Sequence, residues 1–440
     1  MKTKYILMLC AWPLFSVQAQ EAWDLRKCIE YAIEHNLTVK QQEAAREQSA
    51  VELNTAQWSR LPNLSGSMSH SFNFGRSLQA DNTYQSINTQ STGINLSTSV
   101  PLFTGFQINN NIALSKLNLK AATEDLKKAK DDISIQIASA YLQILFNEEL
   151  AKVARSQVEL SKEMLEQKQA FFNSGKASES ELYEAKARVA QDELSAVQAA
   201  NNYKLALLDL SQLLELTSPD NFSIVSPQID SISSSSLLIS PADIYTDAVL
   251  SKPSIKAAQY RLEGAQKSVR IAQSAYYPQL SLGAGLSTNY YNVSGRENGN
   301  FGSQLRDNFS QYIGLSLSIP IFNRFATRNR VRSARIQQNT LGWQLEESKK
   351  TLYKEIQQAY YNAVSSEAQY RSSRTADEAA KASFDLMKEK YAYGKANGTE
   401  YNEARTIWLK AVSDRLQAKY DFLYRTKILD FYRGIPLQLE

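Results

Sequence analysis

The chain states the same phrase twice. Residues 99–106 read SVPLFTGF and residues 318–325 read SIPIFNRF, so that Pro101 and Pro320 stand 219 positions apart. Ala140-Tyr141-Leu142 matches Ala359-Tyr360-Tyr361, Gly175-Lys176-Ala177 matches Gly394-Lys395-Ala396, and Glu181 matches Glu400, all at that offset. A fixed offset over about 80 residues leaves no room for insertions and marks an internal tandem repeat. Upstream the offset is 216: Pro62-Asn63-Leu64-Ser65 matches Pro278-Gln279-Leu280-Ser281, and Ala32 matches Ala248. The second copy is therefore three residues longer between its prolines, as a loop tip tolerates. Residues 20–216 and 242–440 are read as the two repeats. Between them, 217–241 holds three prolines and the run Ser233–Ser236 and reads as a linker without long helices.

Each proline pair encloses a hairpin, at about 63–101 and about 279–320. Leu64, Gly66, Met68, His70, Phe72 and Phe74 alternate with Ser65, Ser67, Ser69, Ser71 and Asn73. Ile94, Leu96 and Val100 alternate with Gly93, Asn95, Ser97 and Ser99. In the second copy Leu280, Leu282, Ala284 and Leu286, then Ile313, Leu315, Leu317 and Ile319, alternate with glycine and serine. Period two with one apolar face means strands. At roughly 10 residues each is long enough to cross a bilayer when tilted, and the small polar face suits a wet barrel interior. A soluble sheet packed on a core would share the alternation. The aromatics favour the membrane: Trp58, Phe103, Phe106, Tyr276, Tyr277, Phe322 and Phe325 gather at the proline ends, and Phe72, Phe74, Tyr290 and Tyr291 toward the tips. Bilayer interfaces select two such girdles.

Outside the hairpins the chain is rich in helix formers. No breaker falls between Gly105 and Phe172, and Leu119, Ala122, Leu126, Ala129, Ile133, Ile137, Ala140 and Ile144 trace a coiled-coil seam. That stretch and its counterpart, 326–391, would each be about 100 Å long. Helices over 180–216 and 399–431 would return half that distance, and helices over 24–59 and 241–276 would lead into the first strands. The lengths close if the N-terminus, the linker and the C-terminus meet at an equator. Four strands cannot close a barrel, and open edges cannot face lipid. An α+β membrane protein is expected, in which three chains pool their strands into a 12-stranded β-barrel continued by a long antiparallel helical tunnel.

MKTKYILMLCAWPLFSVQAQ reads as a secretory leader over 1–19, cleaved after Ala19. Its loss would leave Cys28 as the sole cysteine and so no internal disulfide. A net charge of +4 over 440 residues is no footprint for nucleic acid. His35 falls in a helix and His70 in a strand, neither with partners at metal-ligand spacing, and no phosphate-cradling glycine loop or catalytic constellation appears. No enzyme activity, cofactor or metal is expected.

The repeat, the paired Ser-β-branched-Pro-apolar-Phe phrases, and the turns FNSGKASESELYEAKAR and YAYGKANGTEYNEAR together resemble the TolC-like outer-membrane efflux proteins. The resemblance implies a homotrimer in the outer membrane of a Gram-negative bacterium, extending into the periplasm. It implies the exit duct of an efflux or type I secretion system, docked to a periplasmic adaptor and an inner-membrane pump. Gly175, Lys176, Ala177, Ser178, Gly394, Lys395 and Ala396 would contact the adaptor. Glu400 and Glu403, with Tyr391 and Glu181, would form the closed aperture, where six carboxylates around a threefold axis would favour cations. The plainer reading of the glutamates is helix capping, with Thr399 as cap. The family often carries an arginine two positions after the second glycine, helping to latch the closed state. Ala396 stands there, which leaves the latch open to question. Arg324, Arg328, Arg330, Arg332 and Arg335 open the second long helix against its dipole, facing either lipid phosphates or solvent. The rival to a duct is a passive structural or adhesive trimer of the envelope, without a pump.

Overall fold

The computed structural model describes residues 22–78, 82–217, 222–227 and 239–439. The leader, most of the linker and the tip at 79–81 lie outside them. In chain order the elements are α1 Leu25–His35, α2 Leu37–Trp58, β1 Asn63–Asn73, β2 Arg76–Leu78, β3 Tyr84–Ser86, β4 Thr89–Phe103, α3 Gln107–Asn173, α4 Glu179–Leu213, α5 Pro241–Ser251, α6 Pro253–Ser274, β5 Gln279–Val293, α7 Phe301–Asp307, β6 Ser310–Ser318, α8 Ala326–Ala392 and α9 Gly398–Tyr432. The helices of the two halves agree in length one for one: α1 and α5 have 11 residues, α2 and α6 22, α3 and α8 67, α4 and α9 35.

The helices expected over 24–59 and 241–276 are each broken once. Asn36 and Lys252, equivalent in the two copies, leave the helical region with ψ of 132° and 130°. Pro253 forces the second break, because the residue before a proline is driven to extended backbone. Asn36 makes the first by serving two partners: its side-chain oxygen accepts from the N–H of Thr38 at 2.9 Å, and its amide donates to the carbonyl of Leu213 at 3.0 Å. That second bond spans 177 residues and has no local sequence signal.

The chain forms two compact units. One gathers the residues up to Gln41, Ala129–Ser251 and those from Leu352 onward. Its core includes Ile137, Tyr141, Ile144, Leu210, Leu214, Ile244, Ile356 and Leu429, all nearly inaccessible. Tyr141 donates to the carbonyls of Val225 at 2.5 Å and Trp23 at 3.2 Å, beside the parallel bridge between Trp23 and Ile224. Its phenol is pushed above its ordinary range, first by burial. Cys28 is fully buried, and burial pushes its thiol up to about 12. His35 stacks on Tyr31 and bonds the Tyr31 carbonyl.

The other unit spans Gln42–Lys128 and Lys252–Thr351. It holds a four-stranded antiparallel sheet in the order β1-β4-β5-β6, the two hairpins lying side by side. Register places Ser65 opposite Ser97 and Ser71 opposite Ser91, with hydroxyls 3.0 and 2.7 Å apart, and Ser287 opposite Ser310 at 2.7 Å. The other face carries Met68 opposite Ile94, Leu96 opposite Leu286, and Leu282 opposite Leu315. Period two therefore sorts hydroxyls from alkyl groups as the sequence requires. His70 stands on the alkyl face, its Nδ1 2.8 Å from the Thr92 hydroxyl. The tips hold elements the alternation does not announce: the β2–β3 pair in the first hairpin and α7 in the second. Among the described residues β1 pairs only with β4 and β6 only with β5, and every residue of both strands is exposed.

The repeated phrase builds the junction from sheet to long helix. Gly105 and Phe106, and their counterparts Arg324 and Phe325, all adopt left-handed backbone, with φ between 55° and 65°. In each copy the two phenylalanines meet edge to face: Phe103 with Phe106 at 5.5 Å, Phe322 with Phe325 at 5.7 Å. Three of the four left-handed residues carry side chains, a cost of about 1–2 kcal/mol each. The junction is thus a demanding conformation that both copies keep. Trp58, Tyr276 and Tyr277 are exposed beside it in the chain, the first ending α2 and the others following α6.

The glycine turns as a candidate functional site

The turns at Gly175 and Gly394 have one design. Each glycine is left-handed, with φ of 73° and 68°. In the first, the Gly175 N–H donates to the Phe172 carbonyl at 3.0 Å and the Lys176 N–H to Phe171 at 2.8 Å; in the second, Gly394 donates to Tyr391 at 3.0 Å and Lys395 to Lys390 at 2.8 Å. This paired closure is the Schellman termination, which needs a residue free to take positive φ. Three positions after each glycine comes the cap of the next helix, Ser178 in the first turn and Asn397 in the second. Ser178 caps α4 by accepting from the Glu181 N–H at 3.3 Å. Asn397 caps α9 by accepting from the Glu400 N–H at 2.9 Å, and the Glu400 carboxylate accepts from the Asn397 N–H at 2.9 Å. The cap of α9 is therefore Asn397 and not Thr399: a capping box satisfies two orphan donors, where threonine here would satisfy one.

The two acids at equivalent cap positions diverge. Glu400 and Glu403 are exposed. Glu181 is half-buried and pairs with the Lys168 ammonium, which also lies 5.1 Å from the ring centre of Tyr391. Lys168 thus joins α3 and α4 to α8, and brings together two of the residues singled out from sequence. Tyr391 in turn packs against Tyr401 of α9, with ring centres 5.0 Å apart. The hydrogen bond from Lys168 holds the Glu181 carboxyl below its ordinary range. Burial pulls the Lys168 ammonium down, but the contacts with Glu181 and Tyr391 more than offset it, and its pKa is raised. Lys176, Gly175, Gly394 and Lys395 are exposed at the turn tips, with Ala177 and Ala396 half-buried behind them.

Behind this tie lies a cavity of about 140 Å³, lined by Ser161, Lys168, Glu184, Arg188, Tyr391 and Arg405 among others. Arg405 is 1% exposed. It donates to Asp192 Oδ2 at 2.6 Å, to the Gln157 side-chain oxygen at 3.0 Å and to the Gln157 carbonyl at 3.3 Å. One guanidinium therefore binds α9 to α3 and α4. Sequence reading overlooked it, yet a signal exists. Tyr401, Arg405, Trp408, Val412 and Leu416 follow the 4-3-4-4 spacing of a buried stripe, and Leu182, Val189 and Asp192 follow another. A charge at a seam position is the mark of a buried polar contact that sets register. The first copy has Lys186 at the equivalent of Arg405, exposed at 5.4 Å from the Tyr183 ring, so the repeat gave no help.

The family model described as outer membrane efflux protein matches residues 28–215 and again 244–431. The chain is 24% identical to the outer membrane protein TolC of Escherichia coli K12 over 421 residues, 92% of this chain and 80% of that protein. Its fold is similar to the crystal structure of CusC, with a TM-score of 0.76 at 17% identity and 96% of each chain covered. It is also similar to the CmeC outer membrane channel of Campylobacter jejuni, with a TM-score of 0.77 at 22% identity, covering 94% of this chain and 87% of that one. With both halves matched in turn, the chain belongs to the outer membrane efflux protein family.

Proposed function

We propose that the chain is the outer-membrane exit duct of an efflux or type I secretion system. In this reading three copies pool their sheets into a 12-stranded barrel, and their helices, two repeats of one unit per chain, line a tunnel in the periplasm. The observation that carries it is the sheet itself. Among the described residues it has one alkyl face, one hydroxyl face and two unpaired edges, and its four strands are too few to close alone. Edges left open in lipid would cost several kcal/mol per unsatisfied group, so β1 of one copy pairs with β6 of the next. The exposed alkyl side chains, such as Leu64 at 72% and Ile313 at 76%, face lipid. Trp58, Phe103, Phe106, Tyr276, Tyr277, Phe322 and Phe325 lie at the membrane interface. The hydroxyl face lines the water-filled bore. TolC and CmeC are outer membrane proteins by name, and the duct reading extends that likeness to this chain.

The glycine turns serve as the docking tips for a periplasmic adaptor, through Gly175, Lys176, Ala177, Ser178, Gly394, Lys395 and Ala396, with an inner-membrane pump supplying the energy. Glu400 and Glu403 ring the aperture. The cation that Ala396 cannot provide comes from Lys168, which clasps Glu181 and Tyr391.

Conductance of the trimer in planar bilayers tests the aperture. Glu400→Gln with Glu403→Gln is expected to lower cation preference several-fold, because the ring's charge sets the local counter-ion population. Unchanged selectivity rules the ring out. The clasp also sets a pH window. Glu181 has a depressed pKa, so its contribution is complete above the ordinary value of 4.5 and is lost as pH falls through the lower folded value. Lys168 has a raised pKa, so its contribution is complete below 10.5 and is lost as pH rises through the higher folded value. The closed state is therefore expected to hold across that interval and to loosen outside it. A Lys168→Met channel should be leakier within it.

A further inference from the structure

The two copies differ most sharply where their long helices begin. Arg324, Arg328, Arg330, Arg332 and Arg335 of the second copy correspond to Gly105, Asn109, Asn111, Ala113 and Lys116 of the first. Both stretches form the same junction and the same 67-residue helix. The fold therefore does not require the arginines, and the positive end of the helix opposes the first of them. All five are exposed. No Asp or Glu occurs between Asp307 and Glu346, so the segment supplies no countercharge of its own. At 100° per residue, Arg328, Arg332 and Arg335 fall within one narrow stripe, beside the buried stripe of Thr327 and Val331. Immediately before them the chain exposes apolar groups in sequence: Ile319, Ile321 at 93%, Phe322 and Phe325. The order is alkyl strand, aromatic belt, then exposed guanidinium groups, that of Arg328 lying 5.9 Å from the Phe325 ring centre, which is the polarity gradient of a lipid leaflet from tails to headgroups.

We propose that this stripe is a binding surface for the phosphates of anionic phospholipids, formed once per chain and centred on Arg328, Arg332 and Arg335. Guanidinium pairs with phosphate through two parallel N–H donors, so arginine rather than lysine suits the task. The proposal rests on the reading of the sheet as membrane-spanning.

The test uses the full-length trimer in vesicles of phosphatidylcholine with a minor share of phosphatidylglycerol, followed by detergent extraction and quantification of retained lipid. Wild type is expected to retain phosphatidylglycerol in preference to phosphatidylcholine. Each arginine contributes about fivefold near an anionic surface, so R328Q with R332Q and R335Q should reduce the preference at least tenfold. The control K116Q, which removes one charge outside the stripe, should lower it by no more than that single-charge factor of about fivefold. Replacing all three by lysine should keep part of it, since charge persists while the two-donor fit is lost. An equal preference in wild type and the triple glutamine variant overturns the proposal. So does a triple variant that fails to assemble while wild type shows no preference, because the stripe then pairs with carboxylates of a neighbouring copy. Failure of wild type to insert into vesicles overturns the membrane reading itself, a result separable from insertion without lipid preference.

Discussion

Asp192→Leu is expected to strip amide-exchange protection from α4 and α9 around residues 185–195 and 400–410, with local stability falling by about 3–5 kcal/mol, the cost of orphaning a buried charge. Arg405 is almost wholly enclosed, and without Asp192 it keeps only the uncharged Gln157. Arg405→Met should cost less. The Asp192 carboxylate it leaves behind still has Arg188, whose Nε lies 3.4 Å away and whose side chain reaches solvent. The double variant Arg405→Met with Asp192→Leu should be more stable than Asp192→Leu alone, because two alkyl groups in a packed seam leave nothing unpaired. Additive losses would mean that the guanidinium acts through its shape and not its charge. Hydrogen exchange is the suitable readout because long helices open in segments and a single unfolding free energy is ill-defined.

Gly105→Ala is expected to abolish assembly, whereas Arg324→Gly at the equivalent position should be close to neutral. An added Cβ at Gly105 would stand 2.6 Å from the Ser274 carbonyl oxygen and 2.8 Å from Tyr277 Cβ. The first is backbone and cannot swing aside. Left-handed backbone adds about 1–2 kcal/mol for any side chain, and forcing the neighbours apart adds about 1–3 kcal/mol. At Arg324 the removal of strain is worth about 1–2 kcal/mol, while glycine's extra freedom when unfolded takes back about 0.5–1 kcal/mol. Yield of chemically crosslinked oligomer on a denaturing gel measures both. An assembled Gly105→Ala trimer would contradict the close approach.

The features readable in the sequence were those written in apolar periodicity or in the repeat. Four strands, two 67-residue helices and their shorter companions follow from alternation, from seams and from equal offsets. Positive φ at Gly175 and Gly394 follows from glycine at the end of a helix. What stayed hidden depends on contacts distant in sequence. The Asn36 break is held by a carbonyl on α4. The Lys168 tie needs an acid from α4 and a ring from α8. Arg405 looks solvated until its stripe is traced. Assignment of the α9 cap to Thr399 failed because Asn397 and Thr399 both fit the local pattern, and only the reciprocal bond with Glu400 decides between them. Comparison of the repeats also carries information where they disagree, since Arg405 and the arginine stripe each occur in one copy alone.

Disulfide trapping between sheet edges tests the pooled barrel most directly. Ser69→Cys on β1 is combined in turn with cysteine at each position of 310–318 on β6, and the protein is oxidised in membranes. Cys28 is buried and stays out of the reaction. The account predicts covalent species that stop at three chains for the positions in register. A chain that stays monomeric at every position, or a ladder that runs past three, would contradict it.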